Sequence, residues 1–267
     1  MKYGYADSPL GQLHYVEAGQ GEPIILLHQT PRSLDEFAEL VPLLAPSRRV
    51  IAMDMYGFGM SAKPDPSEPQ TIEMYATGVL ALVDALQLEN FAVLGHHTGF
   101  FVASEVASRA PERVTAAVLS AGEYMDAATR AAESEPKVDT ATTQEDGSHL
   151  VQLWQDRYPA YPVGRPDILN RFIRDALAPG LDPKNGHLAC SRYMMEERVG
   201  LVTCPILIVA ATEDPVSYPH TERLQNGYPN AKSVQVSEIV GGHVPLIEER
   251  AEDVAQAVLA FLAGVVA

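Results

Sequence analysis

Residues 91–107 read Phe91-Ala92-Val93-Leu94-Gly95-His96-His97-Thr98-Gly99-Phe100-Phe101-Val102-Ala103-Ser104-Glu105-Val106-Ala107. The first four form a short apolar run that suits a buried strand, and the residues from Phe100 onward suit a helix. Gly95 and Gly99 bracket three residues between them, so the chain reverses sharply. Strand, sharp turn and helix in this order predict one unit of an α/β sheet.

The pattern extends outward in both directions. Short, β-rich apolar runs recur at Ile24 to Leu27, Val50 to Met53, Val114 to Leu119 and Ile206 to Ala210, each bounded by turn residues. Such runs fit parallel strands covered on both faces. Helical stripes fall between or after them: Ile72, Tyr75, Val79, Val83 and Leu86, then Val254, Val258, Phe261 and Leu262. The alternation predicts an α/β fold with a doubly wound, mostly parallel sheet. Tyr3 to Ala6 and Gln12 to Glu17 predict an antiparallel hairpin at its start.

The alternation stops between about Ala127 and Val199, where Trp154, Tyr158, Tyr161, Tyr193, Met194 and Met195 gather with several prolines. This predicts a helical lid, residues 123–200, inserted into a core made of 1–122 and 201–267. An aromatic and methionine-rich lid either walls an apolar pocket or packs its own core. Ala131 to Ser148, polar and acidic, is read as a mobile loop.

Composition excludes several classes. With 19 Lys+Arg against 35 Asp+Glu, the net charge of −16 disfavours nucleic acid and anionic membrane as partners. The two cysteines, Cys190 and Cys204, lack CxxC spacing, so a disulfide framework or thiolate zinc site is not expected. Neither a signal-peptide core nor a run of apolar residues long enough to span a bilayer occurs, so a cytoplasmic protein is expected. The sequence leaves the oligomeric state open.

Four further motifs follow in order along the predicted sheet. His28-Gln29-Thr30-Pro31 follows the first core strand, and Asp54-Met55-Tyr56-Gly57-Phe58-Gly59-Met60-Ser61 the second. Asp214 lies beyond the strand at Ile206, and Gly241-Gly242-His243-Val244-Pro245 precedes the last helix. With Gly95-His96-His97-Thr98-Gly99, these resemble the α/β-hydrolase superfamily across nearly the whole chain. The Asp54 motif is structural, and it lacks the third glycine of a dinucleotide-binding turn.

The resemblance implies an acid at Asp214 and a base at His243, hydrogen-bonded to each other. It also implies an oxyanion hole from the backbone N–H groups of Thr30 and Thr98. His28, Gln29 and Trp154 are candidate substrate contacts. The sequence departs from the family pattern twice: Gln29 stands where glycine is common, and His97 stands where the nucleophile elbow G-x-S-x-G has serine. An elbow apex takes positive φ, which histidine tolerates better than most residues. The positive end of the following helix would keep its ring neutral.

Three functions are consistent with these residues. The first is an enzyme acting on a small carbonyl compound, by ester hydrolysis or carbon–carbon cleavage, through His97, Asp214 and His243 without serine or organic cofactor. His97 would serve as base, nucleophile or ligand. The second is a non-catalytic ligand-binding protein on the same scaffold. The third is a metal hydrolase using His28, His97 and His243, although their spacing carries no zinc signature. His96 is expected to pack or hydrogen-bond behind the apex, and His14, His149, His187 and His220 to lie on the surface or lid.

Overall fold

The structure, a computed structural model, describes residues 1–132, 139, 142–178 and 182–265. The chain opens with β1 (Lys2–Ser8) and β2 (Gly11–Ala18), then β3 (Pro23–Leu27), α1 (Leu40–Leu44) and β4 (Arg49–Met53). It continues through α2 (Ile72–Ala85), β5 (Phe91–His96), α3 (Thr98–Arg109) and β6 (Val114–Ser120). Four helices follow: α4 (Ala127–Ala132), α5 (Ser148–Arg157), α6 (Pro166–Ala176) and α7 (Pro183–Arg192). The chain returns as β7 (Ile206–Ala211), α8 (Thr221–Asn226), β8 (Val234–Ile239), α9 (Leu246–Glu249) and α10 (Ala251–Val265). No helix among the described residues is long and apolar enough to cross a membrane.

The eight strands form one sheet in the order β1-β2-β4-β3-β5-β6-β7-β8. β1 and β2 pair antiparallel with each other, as does β2 with β4, and every other pair is parallel. The expected doubly wound α/β architecture is therefore present. Alternate residues of each central strand enter opposite cores. Ile25, Leu27, Ile51, Met53 and Val93 join the side chains of α2 and α3, while Ile24, Leu26, Val50, Ala52 and Leu94 join those of α1 and α10. Burial on both faces is why these strands read as unbroken apolar runs. β8, by contrast, carries Gln235, Ser237 and Glu238 at the sheet edge and gave no such run.

Much of the acidic stretch between Ala131 and Ser148, residues 133–138 and 140–141, lies outside the described residues. Helix α6 buries Ile168, Leu169, Phe172 and Ala176 against Tyr161, with Trp154 packed alongside. It is also fastened to the core by charge. The fully buried Arg32 bonds Asp175 of α6, and its Nη2 donates to Glu248 Oε1 of α9 at 2.6 Å. Arg171 Nε reaches Asp35 Oδ2 at 2.8 Å, and its Nη1 reaches Glu39 Oε1 at 2.6 Å.

Burial pushes the Glu248 carboxyl up to about 8, against the pull of Arg32 and with the repulsion of Glu36. The folded protein thus keeps a proton that the unfolded chain releases near 4.5, so stability falls as pH rises from there to about 8. Glu248→Gln, which mimics the protonated acid, is expected to raise Tm at pH 9 by at least about 2 °C and to change it little at pH 4, below the unfolded value. Equal shifts at both pH values in thermal unfolding would contradict this account.

Candidate active site

β5 delivers the chain to the site and α3 leads it away. The turn needs glycine at both ends: a Cβ on Gly95 would sit 1.8 Å from Gly99 O, and one on Gly99 would sit 2.0 Å from Leu27 O. Between them His97 has φ 47° and ψ −110°, strained backbone of the kind that persists only where its surroundings impose it. Its side chain, 16% exposed, projects into a cavity of about 180 Å³. Thr30, Thr98, Phe101, Val216 and Val244 form part of the wall, together with Glu123, Arg157, His187 and Cys190.

His97 Nε2 lies 3.1 Å from Oδ2 of Asp214, whose side chain is fully buried. The approach does not meet hydrogen-bond geometry, so the pair is held by charge. The loop after β7 fixes the carboxylate through its own donors. Oδ1 accepts from Val216 N–H at 2.9 Å, and Oδ2 accepts from the Ser217 hydroxyl at 2.6 Å. Burial alone would raise the Asp214 pKa, but His97 and these donors outweigh it and hold the carboxyl well below its usual range.

For His97, burial favours the neutral ring, yet Asp214 prevails, with Glu123 and Glu36 adding to it, and the pKa is raised. The helix end, expected to favour the neutral ring, is thereby outweighed: a full charge in contact acts more strongly than a fractional helix charge.

The expected Asp214–His243 bond is absent. His243 Nδ1 instead lies 3.0 Å from Glu249 Oε1, and its backbone N–H donates to Glu249 Oε2 at 3.0 Å. Glu249, on α9, grips the ring and the backbone together, while His97 occupies Asp214. His96 holds the same loop from below. Its Nε2–H donates to Val244 O at 3.0 Å, and its Nδ1 accepts from the Ser120 hydroxyl at 3.0 Å. The buried ring packs edge-on to His97 with centroids 4.6 Å apart, in the structural place expected for it.

Thr30 and Thr98 do meet at the cavity. The Thr98 N–H is a first-turn amide of α3 with no intrahelical acceptor. The Thr30 N–H, however, donates to Thr98 Oγ1 at 3.2 Å, so only one of the two expected backbone donors is uncommitted. Helix α7 presses closely on this segment, since a Cβ on Gly186 would lie 2.1 Å from Thr30 Oγ1.

Two of the three candidate substrate contacts do not reach the cavity. His28 is buried, with Nδ1–H donating to Gln29 O at 2.8 Å and Nε2 accepting from Met55 N–H at 3.0 Å, so both nitrogens serve the backbone. Trp154 packs the core beneath α6 instead. Gln29 does line the cavity, with its amide Nε2 and backbone N–H both turned to Glu36 at 2.6 and 2.9 Å. His28, His97 and His243 therefore answer to three different partners. Among the described residues no three His, Cys, Asp or Glu side chains are arranged to hold a metal ion.

Sequence reasoning did not place Glu123, Arg157, His187 or Cys190 at the site. His187 in particular was expected on the surface or lid. The available signal is weak: Gly186, His187 and Cys190 share one face of α7, and Gly186 marks a close approach.

The sheet order, the strained turn after β5 and the acid after β7 define an α/β-hydrolase architecture. Residues 22–163, just over half of the chain, match the α/β hydrolase fold family, and the chain belongs to it. It is 34% identical over 110 residues to a cis-3-alkyl-4-alkyloxetan-2-one decarboxylase of Shewanella oneidensis, covering 40% of this chain and 35% of that protein. It is 41% identical over 93 residues to a soluble epoxide hydrolase of a Corynebacterium species, covering 34% and 32%. The chain thus spans about a third of the length of these relatives. A bromoperoxidase structure from Bacillus anthracis shares the fold, with a TM-score of 0.80 at 21% identity over 98% of this chain and 100% of the other.

Proposed function

We propose that the protein is a hydrolase of small carbonyl compounds in which the neutral ring of His97, oriented by Asp214, activates water without a serine nucleophile. The observation that carries this reading is the 3.1 Å contact between His97 Nε2 and the buried Asp214 carboxylate at the wall of a cavity. The nitrogen facing the carboxylate holds the proton, which leaves Nδ1 as the basic site. Nδ1 takes a proton from water, the resulting hydroxide attacks the carbonyl carbon, and the imidazolium returns the proton to the leaving oxygen or carbon. The Thr98 N–H receives the developing oxyanion. The Thr30 N–H joins it by exchanging its long bond to Thr98 Oγ1 for the substrate oxygen.

Arg157, His187 and Cys190, from the segment read as a lid, wall the cavity over the reacting groups. His243, gripped by Glu249, stands outside the proton transfer. The names carried by similar proteins, an epoxide hydrolase and an alkyloxetanone decarboxylase, support chemistry on small organic substrates.

The test is turnover of p-nitrophenyl esters and β-diketones before and after treatment with a serine-directed fluorophosphonate. Turnover that survives treatment is the expected result. Loss of turnover together with a phosphonylated serine would overturn the water mechanism. Ligand binding without turnover of either substrate class would favour a non-catalytic receptor.

A further inference from the structure

Arg157, at the end of α5, lines the same cavity as His97 and takes no part in the chemistry above. Its side chain is only 12% exposed, and the guanidinium is held from two sides. Nε and Nη2 bond the buried Asp139 side-on, and the carbon of the guanidinium lies 4.7 Å from the centre of the Phe172 ring. His187 braces the same carboxylate, with Nε2 2.7 Å from Asp139 Oδ2. Nη1 is the one nitrogen of the fork with no hydrogen bond to a described residue.

A long cationic side chain fixed in this way loses little freedom when it binds, and its uncommitted Nη1 can donate to a carboxylate oxygen. A structural arginine needs only Asp139; one that also borders the reaction cavity and keeps a donor uncommitted is equipped for an anion. Asp139 already balances its charge, and Glu123 borders the same cavity, so the anion is selected by the geometry of the fork rather than by a positive field.

Resting on the hydrolase reading for the bond that is cleaved, we propose that the substrate carries a carboxylate, and that Arg157 anchors it while the carbonyl lies against Thr98. The cavity, about 180 Å³, is smaller than the roughly 300–1,000 Å³ typical of sites for drug-sized ligands, and it limits the class to short-chain acids bearing a second carbonyl group.

The test begins with binding to the wild-type protein, read by calorimetry with butanoate and the isosteric butanamide. Butanoate is expected to bind about 10- to 100-fold more tightly, the range set by a hydrogen bond to a charged group. Arg157→Gln should remove that preference and Arg157→Lys should restore part of it, while His97→Ala should keep it. Kinetically, the kcat/KM ratio of p-nitrophenyl hydrogen glutarate to p-nitrophenyl pentanoate should fall in Arg157→Gln by a similar factor. Equal binding of acid and amide by the wild type overturns the proposal even if Arg157→Gln does not fold. A preference for butanoate that depends on Arg157, in a protein that turns over neither ester nor β-diketone, would sink the hydrolase reading and leave the anchor standing.

Discussion

His97→Ala is expected to lower kcat on a saturating ester by about 10²–10⁴-fold, the usual contribution of a positioned general base, while circular dichroism remains that of the folded protein. The size of the loss follows from the setting. His97 is the imidazole in contact with the buried Asp214, and its ring borders the cavity where a carbonyl would lie. Alanine keeps the oxyanion donors and the apolar walls, so a residual rate over water should survive. Glycine at 97 serves as a second variant, because it adopts φ 47° without strain and should show the same kinetic loss. Full turnover in either variant would mean that the base lies elsewhere.

Asp214→Asn should cost about 10³–10⁴-fold in kcat, for a different reason and with a second signature. The neutral amide keeps an oxygen for some of the Ser217 and Val216 donors, so the loop should hold its shape. What is lost is the charge that raises the His97 pKa above its ordinary value despite burial. A general base works only when deprotonated, so the rate of the wild type should climb with pH through that raised pKa. In Asp214→Asn the climb should move to lower pH even as its plateau drops. A variant whose plateau falls with the climb unmoved would show that Asp214 acts on something other than His97.

The sequence made the central fold legible because both faces of the sheet are covered. Ile24 to Leu27 and Val50 to Met53 have apolar neighbours above and below, which compels a continuous run. Edge strand β8 escaped because its outward residues are polar. The turn at His97 was legible for a steric reason, since the backbone contacts of Gly95 and Gly99 admit no side chain.

The pairing of Asp214 was not legible. Two imidazoles compete for one carboxylate, and the outcome depends on where Glu249 lies six residues beyond His243, which no local motif records. Arg157 and His187 were hidden for a related reason. They come from separate helices, α5 and α7, and meet around Asp139, so neither occupies a patterned position.

Glu249's hold on His243 also bears on how such a site could arise or revert. Placing serine at 97 would restore the family's usual elbow residue but would leave it without a proton acceptor in the cavity, because His243 is turned to Glu249 and does not line it, and its loop is pinned by His96. A working serine at 97 would therefore need a second change, one that frees His243 from Glu249 and turns it to the cavity. One carboxylate on a four-residue helix thus couples the chemistry open to position 97 to a residue that lies far from it in the sequence.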